Sequence, residues 1–430
     1  MIRKIYKKAD KLLENKFLAK VFGAFSFLFP GLKKNILLNK KEIAQGKIEL
    51  KSLPYKGNLS LTDVCNYRCK FCEIHYICDK FQRQFNNFIG KDIVSKFYPL
   101  ISKMQTLSFY GAFGEPLLNP YFPEVVQFLK EKNSHIRLSV NTNGSLLTNK
   151  AIKALVESNF DDILISIHAS SEQTYQNLVG GNYERVLENI RKLVESRNEK
   201  GSHLKIGLTF ALNKKNASDA LKYPDLGKEL QVDYININHY YDVRNKLDKD
   251  VSFYFDPQKG NEILKKVYQR AKEIEIEITP TNPLFLKEYD MDLRKEYEKG
   301  ELKANDCYEP FCTLKMKGCV EKEDSQYISP CNRIAFLRMN YQDYEFKDLK
   351  KDIWNHPCFL HLRKTVNADS LNPICRFCKN KMTPIIRCLD NELYRELRDK
   401  AVRDFLSEVK QNYDIPLIKG LEMLEQNPYE

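Results

Sequence analysis

Between residues 57 and 280 short β-rich runs alternate with helical patterns, and this alternation narrows the fold more than any other property of the chain. The runs 58–62, 106–110, 136–142, 162–168, 204–211 and 233–239 read as strands. Between them 91–103, 122–132, 149–158, 182–199 and 216–230 carry apolar residues at i, i+3 and i+4, as Val186, Ile190 and Leu193 do, the spacing of a helix with one buried face. Strands that alternate with helices form βα units and a parallel sheet. Six strands suit an incomplete (β/α) barrel and an open doubly wound sheet equally on pattern alone. In both, chemistry gathers beyond the C-terminal ends of the strands.

Directly after the first run stands Val64-Cys-Asn-Tyr-Arg-Cys-Lys-Phe-Cys72, which places Cys65, Cys69 and Cys72 in a C-x3-C-x2-C triplet. Three thiolates are one short of the four that normally hold a four-iron cluster, so one iron would keep an open position for a ligand. The competing readings are an oddly spaced zinc site, with His75 or Cys78 as the local fourth ligand, and three core cysteines. Zinc motifs favour paired C-x2-4-C units, which this triplet is not.

The triplet, with Phe71 just before its last cysteine, resembles the cluster loop of the radical S-adenosylmethionine (radical SAM) enzymes. Three further stretches extend the likeness in the family's order, over residues 58 to about 216. Leu107-Ser-Phe-Tyr-Gly-Ala-Phe-Gly-Glu-Pro-Leu-Leu-Asn-Pro120 resembles the glycine-glutamate element, Ser139-Val-Asn-Thr-Asn-Gly144 the strand-end T-N-G, and Ile163-Leu-Ile-Ser-Ile-His168 the following strand. The resemblance implies a partial (β/α)6 barrel, a four-iron cluster on Cys65, Cys69 and Cys72, and S-adenosylmethionine on the open iron, cleaved reductively to a 5′-deoxyadenosyl radical that abstracts a substrate hydrogen. It implies Phe71 beside the adenine, Gly114 and Glu115 at the ammonium group, and Asn143, Ser166, His168 and Asn216 around the ribose and carboxylate. Alone, His168 reads as a satisfied half-buried imidazole. The sequence also departs from the family. Peptide-modifying members carry an arginine about a dozen residues past the serine, where this chain has Leu178-Val179-Gly180-Gly181, with Arg185 the nearest cation.

A second cysteine region holds Cys307, Cys331, Cys375 and Cys378, together with Cys312, Cys319, Cys358 and Cys388. Cys307-x-x-Pro310-Phe311 and the Ile353-Trp354-Asn355 segment leading into Arg363 resemble the SPASM/twitch appendage. That likeness implies an auxiliary four-iron cluster on Cys307, Cys331, Cys375 and Cys378. The cysteine count by itself suits a zinc ribbon equally. Cys312 and Cys388 are candidate hydrogen donors, although a buried structural thiol is the simpler reading of each.

Twelve cysteines in 430 residues are too few for a disulfide scaffold, and C-x2-C spacings point to metal or catalytic work. Residues 1–41 hold eleven Lys or Arg against Asp10 and Glu14, nine of the chain's net +12. Ile2, Ile5, Ala9, Leu12, Leu13 and Phe17 follow helical spacing within this arm, so a basic amphipathic helix is expected. It suits an anionic membrane surface or an acidic protein; packing on the enzyme body with its lysines in water is the reading we favour. No nucleic-acid motif accompanies the charge. The apolar run 21–29 is too short for a membrane span and lacks a cleavage pattern, which makes a cytoplasmic protein the expectation, with the arm as a route to the membrane surface.

The expected organisation is a basic arm over 1–56, a radical SAM partial barrel over 57–280, a helical linker over 281–306, an auxiliary cluster domain over 307–390 and a helical tail over 391–430. The expected activity is oxidation or epimerisation of a carbohydrate-like small molecule, with a flavodoxin or ferredoxin as electron donor. Modification of a peptide or protein side chain is the alternative within the family. A zinc-binding module with a basic arm for nucleic acid or membrane is the alternative outside it.

Overall fold

The computed structural model describes residues 30–72, 88–109, 114–240, 250–253, 256–279, 307–318, 325–331, 337–340, 347–367, 372–375, 391–414 and 421–423. The chain opens with α1 (Pro30–Ala44), β1 (Lys56–Leu59), α2 (Lys91–Ile101), β2 (Thr106–Phe109), α3 (Phe122–Lys132), β3 (Arg137–Thr142) and α4 (Asn149–Glu157). It continues through β4 (Asp162–Ser166), α5 (Glu172–Leu178), α6 (Tyr183–Glu199), β5 (Lys205–Leu212), α7 (Ala217–Glu229), β6 (Tyr234–His239), α8 (Pro257–Glu273) and β7 (Glu277–Thr279). The C-terminal part adds α9 (Glu309–Cys312), β8 (Thr313–Gly318), β9 (Ser325–Ser329), β10 (Leu337–Asn340), α10 (Pro357–Thr365), α11 (Asn391–Asn412) and β11 (Leu421–Met423).

All these strands belong to one sheet, in the order β11-β10-β9-β8-β1-β2-β3-β4-β5-β6-β7. Pairing is parallel from β8 through β1 to β7 and antiparallel through β8, β9, β10 and β11. The order β1 to β7 never reverses. A doubly wound sheet needs a reversal to bring helices to both faces, because parallel crossovers are right-handed. The sequential order therefore puts the crossover helices on one face, the arrangement of an unclosed barrel. This separates the two architectures that the sequence pattern left equal.

Strand chemistry agrees. Leu107, Phe109, Leu138, Val140, Ile163, Ile165, Leu208 and Ile235 are buried in one core with Val125, Leu129, Leu155, Val186 and Ile190 of the helices. The alternate positions of β1–β4 are partly exposed and mostly polar. A parallel sheet covered on both faces would read as continuous apolar runs instead.

Five helices and six strands occur where the sequence predicts them, and local chemistry sets their ends. The Thr148 hydroxyl accepts the Ala151 N–H at the start of α4, and the Asn182 side chain does the same for Arg185 N–H at the start of α6. β1 ends at Leu59 rather than running to 62. Beyond it Ser60 N–H donates to Met316 O, Ile89 N–H donates to Leu61 O, and Thr62 bridges to Phe88, so the chain has left β2. Between residues 30 and 279, helices α1, α5 and α8 and strand β7 are additional elements. The expected arm helix (2–17) and the linker (281–306) lie outside the described residues.

The described residues between 307 and 367 join the barrel directly. β8 pairs with β1, matching Asn58 to Lys315. Arg363, 3% exposed, donates to Pro310 O (2.8 Å), Ile48 O (3.0 Å), Asn355 Oδ1 (3.0 Å) and Trp354 O (2.8 Å), and lies 4.3 Å from the centre of the Trp354 ring. The Trp354 indole N–H donates to Ser52 O, and Asn39 of α1 donates to Phe311 O. Among the described residues no helix is long and apolar enough to cross a membrane.

Candidate active site

The loop carrying Cys65, Cys69 and Cys72 leaves the C-terminal end of β1 and is held from three sides. Cys72 N–H donates to Cys69 O at 3.0 Å, and Lys70 N–H donates to Leu178 O at 2.9 Å. Asn66 donates to the Ser145 hydroxyl (2.9 Å) and accepts from the Asn143 amide (2.9 Å), tying the loop to the turn after β3. A Cβ on Gly181 would stand 2.4 Å from Cζ of Tyr67, so only glycine leaves room for that ring. The Leu178–Gly181 turn, which lacks the family's arginine, therefore packs against the cysteine loop.

The three cysteines are partly exposed and outside disulfides. Burial pushes the Cys65 thiol up to about 11, and the Glu115 carboxylate and Cys72 add to the rise. Among the described residues no three His, Cys, Asp or Glu side chains stand in metal-ligand geometry. Cys307, Cys331 and Cys375 are likewise not gathered into a ligand set. Cys307 exchanges backbone hydrogen bonds with the Asn367 side chain, and the Cys375 sulfur accepts from Asn372 at 3.2 Å. Cys378 and Cys388 lie outside the described residues. Cys312 is buried, its thiol 3.5 Å from Tyr308 O and from the Thr313 hydroxyl.

Glu115 joins the elements. It is 2% exposed; Oε1 accepts from the Thr142 hydroxyl (2.6 Å) and Leu117 N–H (3.1 Å), and Oε2 from Asn143 N–H (2.7 Å). A carboxylate offers about four lone-pair sites, so one on Oε2 remains open to a further donor. Burial raises its pKa while the three donors lower it. Gly114 has φ +84°, and a Cβ there would fall 2.3 Å from Thr62 O, so this segment presses against the backbone that enters the cysteine loop. Asn143 is engaged elsewhere: its Oδ1 accepts from the Ser145 N–H and hydroxyl.

Past β4, His168 adopts φ +60°, an uncommon backbone for a residue other than glycine. Its Nδ1 accepts the Ala211 N–H at 3.0 Å, which leaves the proton on Nε2, and burial pulls its pKa down to about 4. The ring meets Phe71 edge-on (centroids 5.0 Å, 82°), and Phe71 also meets Tyr240 (6.0 Å, 76°). Asn216 is fully buried, and its amide donates to His168 O and Ala211 O while accepting from Asn213 N–H. Its observed work is to shape the turn that carries His168. Ser166 lies on the open face of the sheet, in register with Thr209 and Asn236.

That face holds Asn58, Ser108, Ser139, Asn141, Ser166, Thr209, Asn236 and Asn238, with Thr209, Asn236 and Asn238 hydrogen-bonded together. On β1–β6 its charged residues, Lys56, Arg137, Asp162 and Lys205, stand at the first position of their strands, the end remote from the cysteine loop. The sequence reading missed Tyr67, Gly181, Tyr240 and this polar row. The period-2 polar positions of the strands were the one signal for the row; the others owe their place to contacts distant in sequence.

The profile of the Radical SAM superfamily matches residues 59–219. A probable GTP 3',8-cyclase of Saccharolobus islandicus is 27% identical over 186 residues, covering 43% of this chain and 56% of that protein. A tungsten-containing aldehyde ferredoxin oxidoreductase cofactor-modifying protein of Pyrococcus furiosus is 29% identical over 179 residues, covering 40% and 47%. The chain thus spans about half the length of these curated relatives. Streptococcus suis SuiB shares the fold, with a TM-score of 0.51 at 16% identity over 75% of this chain and 71% of that one. The ordered motifs, the sequential parallel sheet and the match over 59–219 together identify that stretch as a radical SAM domain, of the superfamily that uses a four-iron cluster and S-adenosylmethionine.

Proposed function

We propose that the chain is a radical SAM enzyme that oxidises or epimerises a polyhydroxylated, carbohydrate-like small molecule. The observation that carries the substrate class is the open face of the sheet, where amides and hydroxyls, without a charged group beyond the first strand positions of β1–β6, meet whatever lies in the barrel. Neutral donors and acceptors of this kind pair with sugar hydroxyls and leave an ion unmatched. The names of the two curated relatives, a GTP cyclase and a cofactor-modifying protein, also point to small molecules.

The residues present fit the cofactor pair. The cysteine loop offers three thiols among the described residues, and the alternative fourth ligands His75 and Cys78 lie outside them. The free lone pair of Glu115 suits an ammonium group, and Phe71, Tyr240 and the Nε2–H of His168 form a corner suited to a heteroaromatic ring. When bound, the cluster and S-adenosylmethionine supply a 5′-deoxyadenosyl radical that takes hydrogen from an unactivated carbon. The chain's own part is to hold Cys65, Cys69 and Cys72 through the Asn66, Tyr67 and Lys70 contacts and to present the substrate carbon from the polar face. Cys307, Cys331, Cys375 and Cys378 are assigned to an auxiliary cluster, and an acidic flavodoxin or ferredoxin to electron supply.

The test is anaerobic turnover with S-adenosylmethionine, a strong reductant and deuterated sugars and polyols. Deuterium should enter 5′-deoxyadenosine from one of them, and Cys69→Ala should abolish the nucleoside. Deuterium arriving only from a peptide would refute the substrate class. Nucleoside formation undiminished in Cys69→Ala would refute the mechanism.

A further inference from the structure

Among the described side chains of the open face, Lys315 of β8 is the charged one that stands beyond a first strand position. Lys315, the third residue of β8, lies in register with Asn58 of β1, which continues through Ser108 of β2 to Ser139 of β3. Partners in a parallel ladder project to the same side, so Lys315 belongs to the same polar row. It is 5% exposed, and its side chain 7%. Its nearest carboxylate, Glu309 Oε2, stands at 3.9 Å, beyond hydrogen-bonding distance, and is itself 35% exposed. Among the described residues the ammonium makes no hydrogen bond.

A lysine side chain this enclosed, whose carboxylate partner among the described residues stands beyond hydrogen-bonding distance, keeps donors for an acceptor that arrives from outside. A carboxylate at the distance of Glu309 supplies charge but no hydrogen bond. The thiols of Cys331 and Cys312 lie within its electrostatic range as well. Lys56 of β1 adds a second positive charge to the field at Lys315. The neutral Asn58, Ser108 and Ser139 separate Lys315 along the row from Asp162, which accepts the Tyr234 hydroxyl, and from Lys205, so an anion entering the barrel beside β1 meets positive charge with neutral donors next to it.

We propose that Lys315 is the anion-recognition point of the substrate site. Its ammonium takes a phosphate or carboxylate carried by a polyhydroxylated small molecule whose hydroxyls are read by Asn58, Ser108 and Ser139. The proposal rests on the functional reading above and narrows its substrate class from carbohydrate-like to acidic carbohydrate-like. Phosphate and carboxylate share the required chemistry, and the experiment separates them.

Glucose 6-phosphate, glucuronate and glucose share one skeleton and differ in the anion. Each is titrated calorimetrically, without oxygen, into iron-loaded protein containing S-adenosylmethionine. At least one charged sugar should bind about tenfold or more tighter than glucose, a difference one well-placed charged hydrogen bond can supply. The charged sugar that binds identifies the anion. Lys315→Met should reduce its affinity to the glucose level, and Lys315→Arg should retain most of it. Charged sugars binding no better than glucose, or equally well to Lys315→Met, overturn the proposal. Iron content and 5′-deoxyadenosine formation are measured on the same samples. If both are normal while the anion dependence is absent, this inference alone fails; if both are lacking in the unaltered protein, the radical SAM reading fails and takes the inference with it. A changed iron content or visible spectrum in Lys315→Met with unchanged sugar affinity would assign the lysine to Cys331 instead and equally overturn the proposal.

Discussion

Replacing Gly114 by alanine should uncouple the Glu115 element from the cysteine loop, and its size follows from two separate costs. The backbone φ of +84° is one an L-residue adopts at about 1–2 kcal/mol. The new Cβ would also stand 2.3 Å from Thr62 O and 3.0 Å from Val64 O, and these are backbone atoms that cannot rotate away. Overpacking of this kind costs about 1–3 kcal/mol. Together roughly 2–5 kcal/mol is expected, a large part of the 5–15 kcal/mol that typically holds a protein folded. Relief requires residues 114–115 to back away, which lengthens the 2.7 Å bond from Glu115 N–H to Val64 O one residue before Cys65. Gly46 is the control: its φ is +69°, yet nothing lies within 4 Å of a built Cβ, so Gly46→Ala should cost only about 1–2 kcal/mol. The assay is urea unfolding under anaerobic conditions, with iron retention and 5′-deoxyadenosine formation measured alongside. Gly114→Ala should lose stability and nucleoside formation together, while Gly46→Ala keeps the second. Equal losses in the two variants would refute the argument.

Arg363→Met removes the donor from the carbonyls of Pro310, Ile48 and Trp354, and because each buried acceptor left unsatisfied costs about 1–3 kcal/mol, urea unfolding should show a loss of about 3 kcal/mol or more; a loss below about 1 kcal/mol would mean water replaces the guanidinium freely. His356 is buried, which pulls its pKa down from 6.5 to about 4, while the unfolded chain keeps the ordinary value. Between these values the unfolded state binds more protons. The stabilisation is therefore complete above pH 6.5 and lost as pH falls towards 4, with a slope of up to about 1.4 kcal/mol per pH unit. The His356 Nδ1 accepts the Cys358 N–H at the start of α10, a capping role asparagine can also fill, so His356→Asn should flatten the acid limb without unfolding the protein. An unchanged acid limb in urea titrations would contradict this.

The βα series was legible because each helix buries one stripe and each strand shows one face to the barrel, so periodicity carries both. Val186, Ile190 and Leu193 are buried as their spacing requires. β7 has three residues, too few to show a period. β8 alternates in Thr-Leu-Lys-Met-Lys-Gly, but the run is short and its partner β1 stands more than 250 residues earlier. The place of Lys315 is a product of that non-local pairing. At the site, the chemical types could be read and the division of labour could not. Glu115 and Asn143 stand in recognisable motifs, yet that one accepts the other's N–H across 28 residues is a fact of the fold. Asn216 at a strand end looks the same in sequence whether it meets a ligand or, as here, three backbone groups. Tyr67 and Gly181 gave no signal, because neither is unusual until the two are in contact.

The central claim is that Cys65, Cys69 and Cys72 leave one iron open for S-adenosylmethionine. The most direct measurement is electron–nuclear double resonance on the reduced, anaerobically reconstituted protein with S-adenosylmethionine labelled with nitrogen-15 at the amino group and oxygen-17 at the carboxylate. Hyperfine coupling from both labels to the cluster, lost in Cys69→Ala, is the predicted result. A reduced cluster that shows no coupling to either label at saturating cofactor would contradict the account.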